Sequence, residues 1–332
     1  MKPFLIILCS LFCLQSCGQN NKAMNEKVTE ILGNLYKDVK YYDQRINYHA
    51  QITIGGCNFE VLINDFPVHQ YFGSINGSLN TNVPINTAIL GQGVQNWKVR
   101  IYPIYDRKEI NGKMVSIPRE AIEKGARAKI SIEGLRFKEN GDIEKDFGKI
   151  VKFEAPLNKD KSTGENIFAD AGKPYIEYSG TFQADVPYQL DGWKNSVDLS
   201  KENKEQIATE ILKEYEKYKD WIQNRELDKI AVSKLHGKKE DAQALFYNKI
   251  VNQEYINDFI DMWGREGLKT QVIENIELKY YGNNRIVTLI NKSYNDSPLW
   301  ASYIDEDNDS SYILIPLYFH RSKPGAPLEV IR

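Results

Sequence analysis

Val186-Pro187-Tyr188-Gln189-Leu190-Asp191-Gly192-Trp193 divides the chain into two kinds of sequence. Upstream of it the apolar residues recur every second position, and downstream they recur every third or fourth. Val186 closes the last strand pattern, Gly192 punctuates, and 196–200 leads into a helix. The period change at this stretch predicts a β-rich first half and a mixed second half.

Working back from that boundary, 47–189 reads as short strands. Gln51 to Ile54 and Asn58 to Ile63 come first, with Phe59, Val61 and Ile63 alternating with Glu60, Leu62 and Asn64. Asn64-Asp65-Phe66-Pro67 carries turn chemistry. A polar stretch from Gly73 to Asn82 follows, then Val83-Pro84-Ile85-Asn86. Further strands are predicted at Thr87 to Leu90, Asn96 to Tyr102, Ala128 to Phe137, Lys149 to Ala155 and Tyr175 to Val186, with Gly91-Gln92-Gly93 as a hairpin turn. Gly, Asn and Pro at these intervals predict an antiparallel, sandwich-like β domain over 46–190.

Working forward, Ser200 is the expected N-cap of a helix reaching about Asn224, with Glu202 in its first turn. Ile207, Ile211, Leu212, Tyr215, Tyr218 and Ile222 form its buried face. Ala242, Leu245, Phe246 and Ile250 form a second helical stripe, and Tyr255, Ile256, Phe259, Ile260 and Trp263 a third. After Gly267 the period returns to two. Strands are expected through Ile276, Leu278 and Tyr280, over 285–290, at Pro298 to Ile304 and at Ser311 to His320. Helices followed by an antiparallel meander predict an α+β domain over 191–332. This order resembles cone-shaped α+β folds, and the resemblance implies no activity. A cleft between the two domains is the natural place for a binding site.

Before the strands, Val28, Ile31, Leu32, Leu35, Val39 and Tyr42 mark an amphipathic helix over about 26–44, expected to pack on its own protein. Ahead of it, 18–25 is polar and reads as a tether. Met1-Lys2, an apolar run from Phe4 to Leu14, and Leu14-Gln15-Ser16-Cys17 complete the N-terminus. Those last four residues resemble the lipobox of bacterial lipoproteins. The resemblance implies cleavage after Ser16 and lipidation of Cys17, so the membrane becomes a partner through an N-terminal lipid. The run is about half the roughly 20 residues that a membrane-spanning helix needs. Acidic residues directly after Cys17 are absent, which favours an outer-membrane position facing the periplasm. The two-domain layout resembles that of other bacterial lipoproteins and names no activity.

Removal of the first 16 residues leaves 316 of 332, enough for two domains, and changes the net charge from −2 to −3. So small a charge without a basic patch argues against a nucleic-acid partner. Cys9 and Cys13 leave with the signal, so Cys57 is left without a disulfide partner and reads as a small core residue. His49, His69, His236 and His320 show no zinc-ligand spacing, and His320 is expected at a sheet edge. Gly73-Ser74-Ile75-Asn76-Gly77 is not a nucleophile elbow, and no phosphate cradle is present, so neither a catalytic residue nor a cofactor is implied. Asp305, Asp307 and Asp309 resemble the first half of an EF-hand loop and are the weak Ca²⁺ candidates. Ser310 stands where that loop needs glycine and Pro316 where it needs glutamate. A solvated hairpin loop is therefore the plainer reading.

These features suggest a lipid-anchored, non-enzymatic envelope protein that binds another macromolecule, with an immunity-type or envelope-assembly role. The rival expectation is a hydrolase of envelope polymers, or a small-ligand binder using a pocket in the C-terminal domain.

Overall fold

The computed structural model describes residues 22–43, 45–74, 77–110, 113–138 and 140–332. It is built mostly of antiparallel sheets, with the longer helices in the C-terminal part; the sheets are open and none closes into a barrel. This is the expected β followed by α+β architecture.

The first half supplies β1 (Asn47–Gly55), β2 (Asn58–Ile63), β3 (Phe66–Tyr71), β4 (Ser78–Pro84), β5 (Gly91–Tyr102), the hairpin β6 (Tyr105–Ile110) and β7 (Lys113–Pro118), β8 (Arg127–Phe137), β9 (Ile143–Glu154), β10 (Leu157–Lys159), β11 (Asn166–Phe168) and β12 (Ile176–Gln189). Eight of them form two four-stranded sheets, β4-β1-β8-β9 and β12-β5-β2-β3, while β6 pairs with β7 and β10 with β11. Tyr48, Ala50, Ile52 and Ile54 from the first sheet share one core with Phe59, Val61, Val99 and Ile101 from the second.

Several local expectations are corrected here. Asn86–Ala88 is a 3₁₀ turn rather than part of a strand, because buried Asn86 donates to the Ile46 carbonyl at 2.9 Å and to Ala244 at 3.1 Å. Gly91-Gln92-Gly93 opens β5 instead of reversing the chain; its partner β12 shifts register there, and Gly93 at φ 117° absorbs the irregularity. The reversal near it is Asn64-Asp65, both left-handed, which joins β2 to β3. The polar stretch ends in edge strand β4, whose alternate exposure needs no apolar pattern.

A helix over 22–32 (α1) and a 3₁₀ turn at Leu35–Asp38 precede β1. The helix thus begins inside the segment expected to be a tether and stops at 32 rather than about 44, but Val28, Leu32, Leu35 and Val39 are buried against the helices that follow the sheets, so the stripe packs on its own protein. Those helices are α2 (Lys204–Gln223), α3 (Leu227–Ala244) and α4 (Lys249–Gly264). Asn203, not Ser200, caps α2, accepting from the Gln206 amide at 3.0 Å; Ser200 belongs to the preceding 3₁₀ turn Leu199–Lys201. The predicted stripe Ala242 to Ile250 crosses a break at Phe246 (φ 53°), which ends α3 and leaves Ile250 on the surface.

The closing strands divide between two sheets. β13 (Lys269–Thr270), β16 (Trp300–Ile304) and β17 (Ser310–Leu314) form one, while β14 (Ile276–Tyr281), β15 (Ile286–Asn291), β18 (Phe319–His320) and β19 (Glu329–Val330) form the other. β18 lies between β15 and β19, so His320 is interior rather than at an edge. α2 packs on β15 through Tyr215, whose hydroxyl reaches the Leu317 carbonyl at 3.2 Å.

Candidate functional site

The two units meet along the second sheet. Glu60, Lys98, Arg100 and Tyr102 share the face of β2 and β5 that points away from the β core, as their cross-strand pairing requires. The second unit covers this face with Lys279 and Tyr281 of β14. Glu60 is fully buried and accepts from Lys279 Nζ at 2.7 Å, from Tyr102 Oη at 2.8 Å and from the Tyr281 hydroxyl. Burial alone raises a carboxyl pKa, but Lys279 and the two tyrosines outweigh it and hold Glu60 below its usual range. Asp65 accepts from Lys98 Nζ at 3.1 Å and from the Asn283 amide at 3.0 Å, stitching the β2–β3 turn to the β14–β15 turn. Every acceptor of Glu60 is engaged, so the cluster is a seam and not an open site.

The open site lies beside the other sheet. A cleft of about 660 Å³ is bounded by β1 and the end of β8 on one side and the α3–α4 elbow on the other. Tyr41 and Arg45 line it from the segment that leads into β1. Gln243 pins that segment by accepting from the Lys40 amide at 2.9 Å and donating to the Lys40 carbonyl at 3.0 Å, while Tyr41 donates to the Tyr247 carbonyl. The elbow exists because Phe246 is left-handed and buried beside Tyr188, 5.9 Å between ring centroids. Asn248 then restarts the helix, accepting from the Val251 amide at 2.9 Å.

Arg45 lies over the Tyr41 ring at 5.7 Å, and its Nε is buried without a hydrogen-bond partner. His49 meets Phe137 edge-on at 5.9 Å. Burial lowers the His49 pKa, only partly opposed by Glu133 and by the Asn82 side chain, so the ring is neutral at pH 7. Exposed Lys138 and Glu254 stand at the rim, and Ile250 and Val251 present apolar surface. One arginine, one imidazole and an aromatic-aliphatic wall thus face the same cleft. Among the described lining residues there is no serine, threonine or cysteine to act as a nucleophile.

The other sequence candidates lie elsewhere. Cys17 is outside the described residues. Asp305, Asp307 and Asp309 lie in the β16–β17 hairpin turn. There Asp305 accepts from the Asp309 amide at 2.8 Å and the Ser311 hydroxyl at 2.7 Å, which occupies its oxygens locally. Among the described residues no group of three His, Cys, Asp or Glu could hold a metal ion. Cys57 is buried, and burial pushes its thiol up to about 12, which keeps it protonated and inert. His320 Nδ1 lies 2.7 Å from Ser196 Oγ, but both are buried and this pair packs the second unit. No sequence reading anticipated Arg45, Phe137 or Ile250 as neighbours, because about a hundred residues separate each from the next and no local pattern links them.

No protein-family model, curated protein or solved structure matches this chain. Its site must be read from its own geometry. Among the described residues no helix is long and apolar enough to cross a membrane.

Proposed function

We propose that this chain is a lipid-anchored envelope protein that holds a segment of another macromolecule in the Arg45 cleft and performs no chemistry on it. The placement of the cleft supports the reading. α1 begins five residues after Cys17, and Met24 in its first turn adjoins Gly264 at the far end of α4. The cleft takes Ile250 and Val251 from the first turn of that same helix. Fourteen residues of helix separate the ends by about 21 Å. A lipid on Cys17 therefore holds the Gly264 end near the bilayer and turns the cleft outward, toward partners in the envelope. An outer-membrane position facing the periplasm is part of the same proposal.

Membrane fractionation of wild type and Cys17→Ala tests the anchor, and in-cell proximity labelling tests the partner. The label is best inserted in the exposed Asp307 turn, because Arg332 is tied to Glu240 at 3.0 Å and a C-terminal fusion would disturb it. A neighbour lost in Cys17→Ala supports the proposal; a soluble wild type or diffuse, unchanged labelling rejects it. The cleft volume, within the roughly 300–1,000 Å³ of small-molecule sites, favours a small-ligand binder as the second reading.

A further inference from the structure

We infer that the Arg45 cleft recognises a monoanionic carboxylate carried next to an apolar group. The inference deepens the proposed binding role and rests on the cleft being the binding site.

Arg45 differs from the other arginines that are wholly or partly buried. Arg100 pairs with Glu177 at 2.9 Å, Arg321 with Glu210 at 2.8 Å and Arg332 with Glu240 at 3.0 Å. Arg127 donates to backbone carbonyls, as do Arg225 and Arg285. Among the described residues Arg45 makes neither a hydrogen bond nor an ion pair; the Tyr41 face is its partner. Its Nε is cut off from water without an acceptor, a cost that a ligand oxygen would remove. Its planar fork of donors fits a carboxylate in two parallel hydrogen bonds.

The surroundings set the rest of the ligand. Ile250 is 61% exposed and Tyr41 48%, an apolar surface that the fold itself leaves uncovered. Neutral His49 adds no charge, and Lys138 offers one flexible cation at the rim. Glu254 on the opposite rim repels a dianion, which selects against phosphate. The first turn of α4 adds no anion site here, since Asn248 already takes the Val251 amide.

The ligand could be a free organic acid or a carboxylate on a polypeptide, and one calorimetric experiment on the full chain separates them. The probes are N-acetylphenylalanine, its uncharged amide, and a short peptide ending in phenylalanine with a free carboxylate. The acids should bind about 10-fold or more tighter than the amide, and Arg45→Gln should remove that preference while sparing amide binding, the scale of one lost charge-assisted interaction. Ile250→Ser, on the surface, should weaken all three probes without affecting folding. The peptide binding tighter than the free acid points to a polypeptide source, and equal binding points to a small acid. Equal affinity for acid and amide, no binding of any probe, or an Arg45→Gln variant that folds and keeps the preference overturns the inference. Partner labelling that survives in Arg45→Gln would leave the macromolecular role standing while the carboxylate subsite falls.

Discussion

Lys279 and Glu60 are 219 residues apart in the chain, yet the Lys279 ammonium donates to the Glu60 carboxylate at 2.7 Å across the junction of the two units. Glu60 is completely buried and the Lys279 side chain 18% exposed, so the carboxylate depends on this lysine for its charge partner. Replacing Glu60 with Gln keeps the shape and removes the charge, leaving Lys279 without its ion-pair partner in a mostly buried seam. The expected cost is about 3–5 kcal/mol, read as a lower urea midpoint. Glu60→Gln combined with Lys279→Met should recover part of that loss. A single variant as stable as wild type would show that the seam contributes nothing.

A second, half-buried cation has aromatic rings where Lys279 has a carboxylate. Lys234 in α3 lies over the Tyr218 ring at 5.8 Å and the Trp263 ring at 6.0 Å. Burial, with Lys238 adding repulsion against the weaker pull of Asp241, pushes its pKa down to about 7. Its ordinary value is 10.5, so between about 7 and 10.5 the unfolded chain holds the proton more tightly and stability rises with pH. Lys234→Met should therefore stabilise the protein by about 1–3 kcal/mol at neutral pH. The gain should shrink as pH rises toward 10. Urea titrations at pH 7 and pH 9.5 check both parts.

Acid should act through the histidines before the carboxylates. Burial holds His49, His69 and His320 below the ordinary 6.5. The unfolded chain takes up those protons first, so stability falls as pH drops below about 6.5. Glu60 is displaced in the same direction, here because its charged form is the one the fold favours: the stability it contributes is present above 4.5 and is lost as pH falls through its folded value. Thermal unfolding between pH 7.5 and 4 should show a continuous fall, and a flat profile from 7 to 5.5 would contradict the burial of the three rings.

The β16–β17 turn should behave as a hairpin and not as a cation site. Asp305→Ala removes the acceptor of the Asp309 amide and the Ser311 hydroxyl and should lower the urea midpoint only slightly, since the turn is solvent-exposed. Millimolar Ca²⁺ should leave the Tm of the wild type unchanged. A rise of several degrees would restore the cation reading.

Alternation and stripe were readable in the sequence where a residue has one neighbour environment. β8 and β12 fall within a few residues of expectation, and the α2 face from Ile207 to Ile222 is buried as predicted. What escaped are positions decided by the other unit. Glu60 reads as the solvent side of β2, yet all six residues of that strand are buried because β14 covers its outer face. Asn86 turns the chain at a point that reads as a strand, since its amide satisfies a carbonyl 158 residues away. Arg45 belongs to no pattern, and only the elbow at Phe246 brings a helix to meet it.

α1 precedes the β strands but is buried with helices and strands from 199–330. The β core in turn includes Phe246, Tyr281 and Ile331. Neither core is complete until 328–331 are in place, so folding during synthesis cannot finish one unit before the other. A chain leaving a ribosome or a translocation pore would hold its first helix in waiting across some 170 residues of β sequence. Leu328 and Val330 close one core and Ile331 the other, so disrupting this one short segment would open both at once.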